Sequence, residues 1–203
     1  MADSGQIISA LKGGATEIMQ YFVNFSGEFS EIEKVIIYVF APAVGIMISA
    51  WGIVDFLKLK KSGGQGASPA SIITRFVVGP ITIQLSAFVR ALSESIFGER
   101  EFQEAETLAA SYATNAQNAA DPVQAGLSAM VAFMVIVGWV AALRGMIAFA
   151  RMGSPQENGY ELFSTGAARL IAATFLCMFQ FVADDLIASV GGGAKQFSSA
   201  LGL

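Results

Sequence analysis

The side chains that usually carry out chemistry are sparse in this chain and poorly spaced for it. There is no histidine, which removes the commonest general base and the commonest metal ligand. Cys177 is the single cysteine. It lies inside an apolar run, can form no internal disulfide, and one thiol makes no zinc site, so it reads as a small buried or lipid-facing residue. Asp184-Asp185 is the one adjacent carboxylate pair. Neighbouring residues of a helix project about 100° apart, so this pair is expected to cap an interface rather than share a substrate. The phosphate loop GxxxxGK[ST], the nucleophile elbow GxSxG, HExxH and paired cysteines are all missing. No catalytic, cofactor-binding or metal-binding residue is predicted, and no enzymatic activity.

The basic residues carry more information. Lys58, Lys60 and Lys61 open the segment KLKKSGGQGASP, directly after an apolar run. Such a cluster orients a membrane helix and attracts anionic lipid head groups. Its functional reading is a basic rim around a conduit for nucleic acid or protein. Arg151 opens the corresponding segment of the second half, RMGSPQENGYELF, which is rich in glycine and proline but less basic. Asp55, Arg75, Arg90, Arg144 and Arg169 lie within apolar runs but near their ends, where side chains can reach the membrane interface.

The elements that hold these residues are apolar helices. Of the 203 residues 54% are hydrophobic and only 14% charged, against about 25% charged in soluble domains. The net charge of −4 points to no nucleic-acid-binding surface overall. The apolar residues fall into four blocks, 35–57, 72–97, 123–150 and 162–190. Blocks one and three are long enough to cross a bilayer. Pro42 is placed to kink the first, and Gly79-Pro80 and Gln84 interrupt the second. Ahead of them, Ile7, Ile8, Leu11, Ala15, Ile18, Met19, Phe22 and Phe25 recur at helical spacing. They predict an amphipathic helix that packs on a neighbour or lies at the membrane surface, with packing favoured because its polar face lacks the basic residues that anionic lipid would attract. Without a basic start and an unbroken apolar run, this region is no standard signal peptide.

Blocks one and three superpose at a constant shift of 93 residues, which carries Gly45, Ser49 and Gly52 onto Gly138, Ala142 and Gly145. The same shift carries Phe88-Val89 onto Phe181-Val182 and Gly98 onto Gly191. Small residues at this spacing let helix backbones approach closely in lipid. The expected fold is therefore an all-α membrane protein of four transmembrane helices in two tandem hairpins. The predicted segments are an N-terminal amphipathic helix (1–34), hairpin one (35–98), an acidic connector (99–121), hairpin two (122–191) and a tail (192–203). The lysine and arginine excess places both hairpin loops on the cytoplasmic side and the connector outside.

A helical hairpin with a short, basic, glycine-rich loop resembles the pilins of type IV secretion and conjugation systems. Two such hairpins in about 200 residues resemble a narrower group, the small membrane subunits of type IVB systems (the TraQ and IcmC/DotE group). The second hairpin, GWVAALRGMIAFARMGSPQENGYELFSTGAARLIAATFLCMFQFV, carries most of this likeness, over residues 35–190 with its weaker first copy. The resemblance implies a structural subunit of a conjugation or secretion apparatus in the bacterial inner membrane, part of its channel or extruded as a pilus. It implies homo-oligomers, contact with other secretion-system subunits and with lipid, a bound phospholipid as the one candidate small-molecule partner, and passing contact with transferred DNA or protein. The alternative is a small stand-alone transporter or channel.

Overall fold

Long apolar runs bounded by proline, glycine and charge give helices throughout a computed structural model of the chain. Its described residues are 4–61, 68–98, 108–119, 121–154, 157–191 and 196–201. In chain order the helices are α1 (Ser4–Val35), a π turn (Ile36–Phe40), α2 (Ala41–Lys61), α3 (Pro69–Ile83) and α4 (Leu85–Phe97). They continue as α5 (Leu108–Asn118), α6 (Pro122–Arg151), α7 (Gly159–Cys177), α8 (Phe179–Ser189) and α9 (Gln196–Leu201). No strand occurs among the described residues.

Two helical stretches, Val23–Lys61 and Pro122–Arg151, are long and apolar enough to cross a membrane on their own. Two bent pairs, α3 with α4 and α7 with α8, raise the number of candidate spans to four if each pair counts as one. Around α2 the side chains of Ile46, Met47, Trp51, Ile53, Val54, Phe56 and Leu57 are all exposed. Exposing apolar surface to water costs about 25 cal/mol per Å², so this face is built for an apolar surrounding rather than for water. The chain is a membrane protein.

The amphipathic segment and the first block are continuous in the chain as helix: α1 is followed by the π turn and α2, with no loop between them. At that turn the Ala41 N–H reaches back five residues to the Ile36 carbonyl. Pro42 follows at the second position of α2. A proline removes one rung of the helical ladder, and the wider turn just ahead of it takes up the local mismatch.

The chain forms two compact units, one from Met1–Glu33, Thr107–Ile136 and Met178–Leu203, the other from Lys34–Glu106 and Val137–Cys177. Hairpin one (35–98) lies whole within the second unit, while hairpin two (122–191) contributes residues to both. In the second unit α2 and α3 make an antiparallel hairpin. Pro69 starts α3 behind an extended Ser68, the position where a missing N–H costs nothing. Pro80 sits inside α3, and the helix stops at Gln84, where φ is −105° and ψ is 44°. The next helix leaves at 91°. Instead of completing a straight span, α4 reaches the second hairpin, where Phe97 meets Phe175 edge-on with ring centroids 5.4 Å apart.

The first unit is tied together by buried polar side chains. Glu33, fully buried on α1, accepts hydrogen bonds from the N–H groups of Ala109 and Ala110, each at 3.2 Å. These are orphan donors of the first turn of α5, so the carboxylate caps that helix from a distant part of the chain. Next to it, Phe29 packs on Phe25 and Phe133. The buried face of α1 thus follows Val23, Ser26, Phe29 and Glu33. Of the apolar face expected from the sequence, Ile18 and Phe25 are exposed. The side chains of Ile7, Ile8, Leu11, Ala15, Met19 and Phe22 lie outside the described residues. The same holds for the glycine-rich stretch 62–67, the acidic part of the connector and the stretch 192–195.

Candidate functional site

The loop ends of both hairpins meet in the second unit, where most of the charges of its apolar helices gather. Asp55 is six residues before the end of α2 and Arg75 six after the start of α3. Antiparallel pairing brings them face to face. The Arg75 Nη1 makes an ion pair with Asp55 Oδ2, and Ser71 Oγ donates to the same oxygen at 3.5 Å. Arg75 Nε also donates to the Ala150 carbonyl, at 3.4 Å, near the end of α6. One guanidinium therefore joins three helices, α2, α3 and α6. The turn after α6 presses on the same place: a Cβ added to Gly153 would collide with the backbone of Ser71.

Beside this junction, α6, α7 and the residues Glu157 and Asn158 just ahead of α7 line an open cleft of about 760 Å³. Its charged lining is Arg144, Arg151, Arg169, Glu157 and Glu161, with Ile147 and Leu162 among its apolar walls. Arg151 makes an ion pair with Glu157 Oε1, while the buried Glu157 Oε2 has no hydrogen-bond partner among the described residues. Arg144 and Arg169 are exposed and have no partner among the described residues. Lys58, Lys60 and Lys61 project from the end of α2, exposed and likewise without a partner among the described residues. Arg151 lies with the cleft, at the loop end that it shares with the lysines.

The small residues singled out in the sequence sit where helices touch. A Cβ on Gly45 would lie 2.6 Å from Ile83 Cγ1 and 2.7 Å from the Gly79 carbonyl oxygen. A Cβ on Gly138 would lie 2.8 Å from Cys177 Sγ and 3.1 Å from the Ala173 carbonyl oxygen. A shift of 94 residues carries Gly79 onto Ala173 and Ile83 onto Cys177, so the two contacts are structural counterparts. Ser49 faces Gly79, Gly52 faces Arg75 and Phe76, and Gly145 faces the Gly166 carbonyl and Leu170; Ala142 is fully buried. The repeat also ends alike. Gly98 and Gly191, matched at a shift of 93, close α4 and α8 with φ of +79° and +93°. Backbone of that hand favours glycine.

Asp184 does its work within the protein. It is buried and accepts hydrogen bonds from the N–H groups of Phe197 and Ser198, at 2.8 and 3.2 Å, and from the Ser198 hydroxyl. It thereby caps α9, and its neighbour Asp185 points to the surface. Sequence reasoning considered the charged side chains one at a time and missed three combinations. These are the Asp55–Arg75–Ala150 junction, the Glu33 cap, and the convergence of Arg144 and Arg169 on one cleft. For the first a signal was present, since both residues are equally far from the hairpin turn. The other two join residues whose proximity only the fold decides.

No family model, no characterised protein and no solved structure matches the chain. Fold and site together define an all-helical membrane protein with paired hairpins and a charged end.

Proposed function

We propose that the chain is a structural subunit of a bacterial conjugation or secretion apparatus of the type IVB kind. In this reading it resides in the inner membrane as a homo-oligomer, beside other subunits of the machine. It contributes to the channel, or is extruded into a pilus, past which DNA or protein is moved. The observation that carries the reading is the gathering of Lys58, Lys60, Lys61, Arg144, Arg151 and Arg169 at the loop ends of the second unit. Repeated around a ring or filament, these ends would form a basic rim whose summed potential attracts phosphate backbones or acidic chains.

A second reading, a stand-alone transporter, draws on one specific observation. Both second blocks are broken, at Gln84 and at Met178. Interrupted helices at corresponding positions of two repeats are a mark of transporter binding sites. A single experiment separates the two. The chain is tagged in its native host, and both the membrane fraction and sheared extracellular material are purified and imaged. The subunit reading expects the chain in large assemblies with other subunits and expects substrate transfer to stop when its gene is deleted. A chain confined to small membrane oligomers, with transfer intact after deletion, would overturn it.

A further inference from the structure

We propose that the cleft between α6 and α7 is a binding site for a short peptide zwitterion, its carboxylate held by Arg144 and Arg169 and its ammonium by Glu157 and Glu161. The inference stands apart from the secretion reading.

It starts from the order of the charges along the cleft. A Cβ on Gly145 would lie 3.1 Å from the Gly166 carbonyl oxygen, and one on Gly166 would lie 3.2 Å from that of Gly145, so these residues mark one level of the two helices. Arg144 is one residue deeper on α6, and Arg169 three residues deeper on α7. Glu161 lies five residues to the other side of that level, near the start of α7, and Glu157 precedes it. The cleft is therefore a dipole, with two guanidinium groups at its deep end and two carboxylates at its loop end. The eight residues from Glu161 to Arg169 correspond to about 12 Å along the helix.

Neither end is satisfied from within the protein. Elsewhere in the unit Arg75 has Asp55 and the Ala150 carbonyl, and Arg90 has Glu94 at 2.9 Å. Arg144 and Arg169 have no such partner among the described residues, and their planar forks match the paired oxygens of a carboxylate. At the loop end Arg151 takes Glu157 Oε1, but the buried Oε2 has no donor among the described residues. A buried acceptor left unanswered is costly, and the three hydrogens of an ammonium group can answer it together with Glu161. Backbone bonds hold this end in place: the Glu157 N–H donates to the Ser154 carbonyl at 3.2 Å, and the Leu162 N–H to that of Asn158 at 3.1 Å. A plain anion would satisfy the arginines and leave Glu157 Oε2 as it is. A single amino acid carries both charges but is only about 3.5 Å long, whereas three extended residues cover about 10 Å, close to the span of the dipole once the long side chains reach inward. Ile147, Leu162 and Thr165 line the middle, where small side chains fit, and about 760 Å³ is room enough.

The test uses the intact chain in a non-ionic maltoside detergent, with equilibrium dialysis of radiolabelled trialanine at pH 7. Three further probes each lack one feature: acetyl-trialanine has no ammonium, trialanine amide no carboxylate, and alanine no length. Wild-type protein is expected to bind trialanine saturably and each of the other three at least about tenfold more weakly, the worth of one hydrogen bond to a charged group. Arg144→Gln/Arg169→Gln should bind trialanine and its amide equally weakly. Glu157→Gln/Glu161→Gln should cease to distinguish trialanine from acetyl-trialanine while still preferring it to the amide. The proposal is overturned if wild-type protein binds no trialanine, or binds the blocked forms as well as the free one. It is equally overturned if both double variants discriminate as the wild type does. Saturable binding of inorganic phosphate without any of trialanine would make the cleft a plain anion site and overturn it too. The comparison of probes on wild-type protein needs no variant, so it decides even where a variant fails to fold.

Discussion

Arg75 is the residue on which most local structure converges. It answers the Asp55 charge within the α2–α3 hairpin and reaches Ala150 on α6. The pair is half-buried, so removing one partner should cost less than the roughly 3–5 kcal/mol of a fully buried pair. Asp55→Asn and Arg75→Met should each lower thermal stability in detergent. Arg75→Met should be the more harmful, since the bond to Ala150 goes with it. The double variant should be less destabilised than the sum of the singles. Strict additivity would mean that the two side chains are neighbours without an energetic link. Glu33 offers a second case. Glu33→Ala leaves two N–H groups of α5 without their acceptor, for a loss of about 1–3 kcal/mol, whereas Glu33→Gln keeps an oxygen to accept. Hydrogen exchange at Ala109 and Ala110 should rise sharply in the first variant and modestly in the second. Equal exchange in wild type and Glu33→Ala would refute the cap.

Among the elements, the glycine contacts make the sharpest demand. A methyl group at Gly45 would meet the backbone of Gly79 and Ile83 as well as a side chain, and backbone does not yield easily. Overpacking of this kind costs about 1–3 kcal/mol, so Gly45→Ala should destabilise and Gly45→Leu should separate α2 from α3. At Gly138 the nearest atom is the sulfur of Cys177, so Gly138→Ala should be partly rescued by Cys177→Ala. Thermal unfolding of the four proteins of that cycle is the check, and an absent rescue would show that the Ala173 carbonyl sets the limit. These contacts were legible in the sequence because small residues recur at one helical spacing in both halves. The straightness of the second blocks was not. Gly79-Pro80 and Gln84 mark the first break, but Met178 carries no such mark, and its non-helical φ of −103° and ψ of 24° answer to packing. Likewise α1 was readable as a helix, but its buried face follows Phe29 and Glu33, whose partners Phe133 and Ala109 lie far along the chain.

For the whole molecule, the apolar rods and the charged loop ends imply an orientation. Lysine and arginine excess marks the cytoplasmic side, so cysteines at Lys61 and at Ser154, in a Cys177→Ala background, should both resist an impermeant thiol reagent in intact cells. A cysteine at Asn118, exposed at the end of α5, should react. Labelling at only one of the two loops would contradict a parallel arrangement of the hairpins. The general form was legible from composition and apolar blocks, since hydrocarbon requires long unbroken helices. The cleft was not, because its walls come from both arms of a hairpin and its emptiness is a matter of shape.

The matched ends at Gly98 and Gly191 carry an arithmetical consequence. Because one chain holds two hairpins, any closed assembly of it contains an even number of hairpins. The two hairpins of each chain differ in kind, with lysines at the loop end of one and an arginine-lined cleft on the other. Such an object has half as many equivalent positions as it has hairpins. Averaging it as if all hairpins were equal would blur the positions at which they differ, Lys60 and Arg169 among them.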